Sequence, residues 1–192
     1  MKQHIRNICR SAAYGIYKIG KLRKYLNQNA TERLVHAFVS SRIDCNNSLL
    51  YGLPASDVAP LQRIQNAAAR LVTLTKRHEH ITPVLHQLHW LPVSSRIIFK
   101  ILLLAYKTKH GLSPQYLTEL ISDYKPASTM SLRSSNHCLL NPGPRTKTLY
   151  YGDRSFAVAA PYLWNRLPLT VRSAASLSIF KKKLKTHLFN HV

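Results

Sequence analysis

The residues that could do chemistry are few. The seven carboxylates are Glu32, Asp44, Asp57, Glu79, Glu119, Asp123 and Asp153. Two-metal phosphoryl transfer needs two or more of them converging on ions roughly 4 Å apart. The closest pair, Glu119 and Asp123, falls near the end of a short helical pattern, where a solvated face is the ordinary reading. No Asp-Asp dipeptide occurs. A polymerase, nuclease or kinase site built wholly within this chain is not expected.

Histidines are the next candidates. His78, His80, His86 and His89 cluster within twelve positions. Such spacings can serve a metal, but zinc wants four convergent N or S ligands, and no cysteine lies nearby. They read as surface histidines of a basic protein. Cys9, Cys45 and Cys138 are odd in number and far apart, which suits a reducing compartment better than a disulfide framework. No GxSxG and no GxxxxGK[ST] motif is present. The sequence therefore assigns no catalytic residue, metal ligand, cofactor or small-molecule substrate.

The basic residues carry the strongest signal. There are 28 Lys+Arg against 7 Asp+Glu, a formal net charge of +21. Solubility needs only about 2–8 charges in a small domain, so a polyanion partner is expected. With 45% of residues apolar, disorder does not account for the charge. The candidates for phosphate contact are Arg6, Arg10, Lys18, Lys21, Arg23 and Lys24 near the start, Arg145 and Lys147 in the middle, and Lys181, Lys182, Lys183 and Lys185 near the end. Such contacts neutralise phosphate without reading bases. Ten tyrosines could stack on unpaired bases. Of these, Tyr106, Tyr116 and Tyr162 fall at positions read as helix core.

Amphipathic helices must position these side chains. Ile5, Ile8, Cys9, Ala12, Ile16 and Ile19 recur at helical spacing, with Gly15 and Gly20 as weak points. A second helix is predicted from an N-cap at Thr31, with Leu34, Val35, Phe38 and Val39 facing a core. A third follows Ser56 or Asp57, with Pro60 in its first turn and Leu61, Ile64, Ala68, Leu71 and Val72 on one face. Thr82-Pro83 and Ser113-Pro114 each read as an N-cap followed by proline at the first helical position. Between them a strongly apolar helix opens at Ser94 or Ser95 and is closed by Gly111.

Residues 122–136 are rich in Ser, Thr, Pro and Asn and predict a flexible linker. Asn141-Pro142-Gly143-Pro144 forces a turn, and 137–140 and 146–151 can pair across it as a short β-hairpin. Asp153 is placed to cap a segment that Pro161 breaks or restarts. In the last helix Leu177, Phe180, Leu184 and Leu188 fall within about 80° of arc, with Lys182 and Lys185 opposite. The expected architecture is mainly α: a helical bundle over 1–121, a linker over 122–136, and a small basic C-terminal α unit over 137–192. The most apolar run, 97–106, is far short of the roughly 20 residues that span a bilayer, and no signal peptide is read. The expectation is an intracellular protein of nucleus or cytoplasm with no membrane partner.

The order of several strings resembles the C-terminal region of reverse transcriptases of LINE-type non-LTR retrotransposons. The likeness is to the Jockey superfamily, in particular its chicken-repeat-like clade. The strings include Ser41-Arg42-Ile43-Asp44, Leu49-Leu50-Tyr51-Gly52-Leu53-Pro54 and Leu61-Gln62-Arg63-Ile64-Gln65-Asn66-Ala67-Ala68-Ala69-Arg70-Leu71. Next come Leu88-His89-Trp90-Leu91-Pro92-Val93, His110-Gly111-Leu112, Tyr151-Gly152-Asp153-Arg154-Ser155-Phe156 and Leu163-Trp164-Asn165, then Leu184-Lys185-Thr186-His187-Leu188-Phe189. Each string alone is weak, but their order and spacing are specific, and they cover nearly the whole chain. Where the family usually has Asp-Tyr-Cys-Asn-Ser, this chain has Asp44-Cys45-Asn46-Asn47-Ser48.

The resemblance implies a thumb-like bundle and a post-thumb segment that grip template RNA or an RNA–DNA hybrid without sequence specificity. The endonuclease and the palm, with its Asp-Asp metal site, would lie upstream of this region. It implies a chain that is not an enzyme by itself and that could partner the palm-containing part of a reverse transcriptase. The alternative implied by the same likeness is a decayed or domesticated element remnant with only a structural or protein-interaction role.

Overall fold

The computed structural model describes residues 1–124, 138–144, 148 and 152–190. Over these residues the chain is mainly helical, and the extended pairing is a single isolated antiparallel bridge, Asp123 with Leu140. The chain forms two compact units, Met1–Ile97 and Ile98–Val192. Most of the segment read as a linker, 125–136, lies outside the described residues.

In the first unit, α1 (Lys2–Leu22) runs into a 3-10 turn (Arg23–Tyr25). It buries Ile5, Ile8, Ala12 and Ile19, mainly against α4 (Ala55–Thr73). Gly15 does not break α1. A Cβ at position 15 would lie 3.3 Å from the Phe38 carbonyl oxygen, so the missing side chain lets the neighbouring segment come close. The second helix starts earlier than predicted. Asn27, not Thr31, is the N-cap, its side chain accepting from the Ala30 N–H at 2.8 Å. Thr31 is instead buried inside α2 (Gln28–Val35), where its hydroxyl donates to the Asn27 carbonyl. A π-helical turn (His36–Ser40) joins α2 to α3 (Ser41–Asp44). The extra residue of a π turn shifts the helical phase. Val39 stays buried while Phe38, predicted to face the core, is 54% exposed.

Side chains of α4 hold the rest of this unit in place. Gln65 donates to the Leu91 carbonyl at 2.7 Å, and Gln62 accepts from the Val93 N–H at 2.9 Å. Both bonds pin the connection between α5 (Ile81–Gln87) and α6 (Val93–Lys109). The predicted caps shift by two or three residues here. His80 precedes α5, so Thr82 and Pro83 lie within its first turn, and α4 starts at Ala55, which puts Pro60 in its second turn. The turn over residues 44–48 places Asn46 in the left-handed region at φ 53° and Asp44 on Arg96 at 2.8 Å.

In the second unit, α6 ends as predicted at Gly111, φ +66°. Leu112 N–H bonds to Lys107 O and Gly111 N–H to Thr108 O, the two bonds of a Schellman cap. α7 (Gln115–Thr118) is one turn, with Pro114 at its N-cap position rather than its first helical position. The core is aromatic. Tyr106 stacks on Phe180 with ring centroids 4.3 Å apart, and Trp164 on Phe180 at 5.7 Å. Their polar atoms are satisfied: the Tyr106 hydroxyl donates to Ala174 O at 3.0 Å and the Trp164 indole to Cys138 O at 2.8 Å. The Asn165 amide exchanges two bonds with the Leu140 backbone, both 2.9 Å.

α8 (Phe156–Asn165) has Ser155 rather than Asp153 at its N-cap position and passes through Pro161 without breaking. Proline has no N–H to offer the Ala157 carbonyl, one turn back. The chain at Gly143 packs onto that carbonyl, so close that a Cβ there would collide with it. Most of the predicted hairpin (137, 146–147 and 149–151) lies outside the described residues. Of the residues that are described, Leu139 and Asn141 bond instead to Tyr124 and Ser122, two residues read as linker. After α9 (Leu169–Arg172), the Ser176 hydroxyl caps α10 (Leu177–Phe189) by accepting from Ile179 N–H.

Candidate nucleic-acid interface

The first unit presents a basic face on α1. At 100° per residue, Arg6, Arg10, Tyr14, Tyr17, Lys18 and Lys21 fall within about 120° of arc. The buried residues Ile5, Ile8, Ala12 and Ile19 occupy the opposite side. All six members of the stripe are exposed, Tyr14 by 60% and Tyr17 by 58%. The stripe runs about 22 Å along the helix axis. Lys24 and Tyr25 extend it by a turn, with Tyr25 75% exposed. The first carboxylate in the sequence is Glu32, so no acid on α1 offsets these charges. One contact comes from elsewhere: Lys2, outside the stripe, lies 3.8 Å from Asp57.

Lysines and tyrosines alternate in contact along the stripe. The Lys18 ammonium lies 5.0 Å from the Tyr14 ring centroid, Lys21 4.6 Å from Tyr17, and Lys24 4.8 Å from Tyr25. The Tyr14 hydroxyl beside Lys18 pushes its pKa up, so its charge is secure at neutral pH. Cation–π pairs hold each amino group beside an aromatic face while both remain open to solvent.

The predicted contacts divide into two kinds. Arg6, Arg10, Lys18, Lys21 and Lys24 face solvent. Arg23 does not belong with them. Its guanidinium donates to Leu71 O at 2.9 Å, Val72 O at 3.0 Å and Leu26 O at 2.7 Å. It satisfies carbonyls of the last turn of α4, which have no partner within the helix. In the second unit, Lys181, Lys185 and Lys182 form one exposed arc of about 100° on α10, flanking the buried Phe180, Leu184 and Leu188. Lys183 lies on the other flank and donates to Thr170 O at 2.8 Å. It lines a groove of about 600 Å³ with Pro168, Val171, Ile179, Lys182 and His187. Arg145 and Lys147 lie outside the described residues.

Sequence reasoning offered the tyrosines as a group for stacking but did not single out those on α1. Tyr116 and Tyr162, read as core, are 66% and 49% exposed, and only Tyr106 of that group is buried. Arg166 stacks over Tyr162 at 4.0 Å. The signal for Tyr14 and Tyr17 was present: rotating them at the helical step puts them opposite Ile5 and Ile8.

Among the described residues no three His, Cys, Asp or Glu side chains gather in a way that could hold a metal ion. His78, His80, His86 and His89 are all exposed. Glu119 accepts from Gln115, and Asp123 is paired with Lys109. The three cysteines are free, and burial pushes the Cys9 thiol pKa up. No helix among the described residues is long and apolar enough to cross a membrane. Compared with family models, curated proteins and solved structures, the chain matches none of them.

Proposed function

We propose that this chain binds the sugar-phosphate backbone of nucleic acid, template RNA or an RNA–DNA hybrid, as a non-catalytic piece of a retrotransposon reverse transcriptase. One observation carries the reading: Arg6, Arg10, Lys18 and Lys21 share a solvent-facing stripe on a helix that contains no acid. The net charge of +21 supports it. So does the order of the strings that resemble the thumb and post-thumb region of those enzymes. The Lys181, Lys182 and Lys185 arc of α10 is a second phosphate-binding face.

Counterion release makes such binding fall steeply with salt, by about 0.7 in the log–log slope for each phosphate neutralised on a single strand. Filter binding to template-like RNA and to an RNA–DNA hybrid, across a range of salt, tests this. Changing Arg6, Arg10, Lys18 and Lys21 to glutamine should flatten the RNA slope by up to about 3 units, and changing the α10 lysines by up to about 2. Absent affinity at low salt, or affinity flat with salt, would overturn the proposal. The chain alone should extend no primer.

A further inference from the structure

Phosphate binding explains the arginines and lysines of the α1 stripe but not its tyrosines. Three aromatic rings stand more than half exposed within 25 residues of the N-terminus. Each of them has an ammonium group 4.6–5.0 Å from its centroid. A duplex keeps its base faces stacked inside, so exposed rings gain nothing along its backbone. An unpaired strand offers a base face beside every phosphate. A positive track interleaved with aromatic side chains meets both needs at once.

Tyr14 and Tyr17 lie about 4.5 Å apart along the helix axis, and Tyr25, in the 3-10 turn that continues α1, follows about 13 Å further on. Arg6, Arg10, Lys18 and Lys21 lie on the same face. The strand's phosphates and its bases therefore have partners on one side of one helix.

We infer that the α1 stripe takes single-stranded nucleic acid, with unpaired bases stacked on Tyr14, Tyr17 and Tyr25 and phosphates held by the neighbouring cations. This rests on the nucleic-acid reading above and narrows it from backbone in general to an unpaired strand. RNA and DNA share the chemistry, and the test uses both.

The test is fluorescence anisotropy of the full chain with labelled oligouridine, oligothymidine and a blunt RNA–DNA hybrid of equal length. Wild type should bind the single strands more tightly than the hybrid. The variant Tyr14→Ala/Tyr17→Ala/Tyr25→Ala should lose roughly tenfold or more in single-strand affinity for each ring that stacks, and keep its hybrid affinity. The matching Tyr→Phe variant should bind as wild type, since stacking uses the ring and not the hydroxyl. These side chains are exposed and alanine favours the helix, so both variants should keep the wild-type circular dichroism.

The inference falls if the alanine variant binds single strands as well as wild type does, or loses single-strand and hybrid affinity equally. In that case the lysine–tyrosine pairs serve only the helix. The broader reading is tested separately by Arg6→Gln/Arg10→Gln/Lys18→Gln/Lys21→Gln. If that variant loses affinity for every ligand while the alanine variant loses none, backbone binding stands and base stacking does not. If wild type binds none of the three, both fall.

Discussion

Replacing Arg23 by alanine should destabilise the protein and leave the salt dependence of nucleic-acid binding unchanged. The perturbation removes a guanidinium that donates to three carbonyls, two of them in the last turn of α4. A hydrogen bond from a charged group is worth about 1.5–3 kcal/mol when well sheltered, and a cation at a helix C-terminus adds about 0.3–1 kcal/mol. Arg23 is only half-buried and water can replace part of what it gives, so the three bonds together are worth about 2 kcal/mol rather than their sum. In a unit of this size each kcal/mol moves Tm by roughly 4–8 °C, which predicts a fall of about 8–16 °C. Urea and thermal denaturation followed by circular dichroism read the stability. Binding measured well below the new midpoint reads the salt slope. Arg23→Lys should recover part of the loss, because an ammonium reaches fewer carbonyls than the guanidinium fork. The opposite pattern, an unchanged midpoint with a flatter salt slope, would place Arg23 with the phosphate contacts and refute the capping role.

Two further outcomes are expected in the second unit. Gly143→Ala drives a methyl into the Ala157 backbone and should cost about 1–3 kcal/mol, seen as a lower urea midpoint, whereas alanine at the open Gly111 site tests backbone conformation alone because φ there is +66°. For His110, burial first and then the neighbouring Lys109 charge hold the pKa below 6.5, against the opposing pull of Asp123. The unfolded chain thus takes up this proton first as pH falls through about 6.5, and the folded state loses stability from there downward. His110→Gln should flatten that part of the stability–pH curve, and an unchanged curve would refute the assignment.

Much of the helical plan was legible in the residues themselves. Ile5, Ile8, Ala12 and Ile19 recur at 3.6-residue spacing, and Phe180, Leu184 and Leu188 do the same. That periodicity depends only on local geometry, so it survives any tertiary arrangement. Gly111 likewise announced the end of α6, because a left-handed C′ position favours glycine wherever the helix packs. Boundaries were less legible: Asn27 and Ser155 are of the same N-cap type as Thr31 and Asp153, so residue type does not choose between them, and α5 starts after His80, whose side chain makes no cap bond at all.

The expectation of a polyanion partner rests on charge and composition, since +21 is a property of the chain and not of its folding. Where each charged side chain goes was decided only by tertiary structure. Arg23 and Lys21 are alike in type and two positions apart. One turns back onto carbonyls of a helix 48 residues away in sequence, and the other faces water beside Tyr17. Phe38 left the core because a π turn shifted its phase, and Gly15 was kept in α1 because another backbone passes it. No local pattern encodes these outcomes, for each is decided by groups that only folding brings within reach.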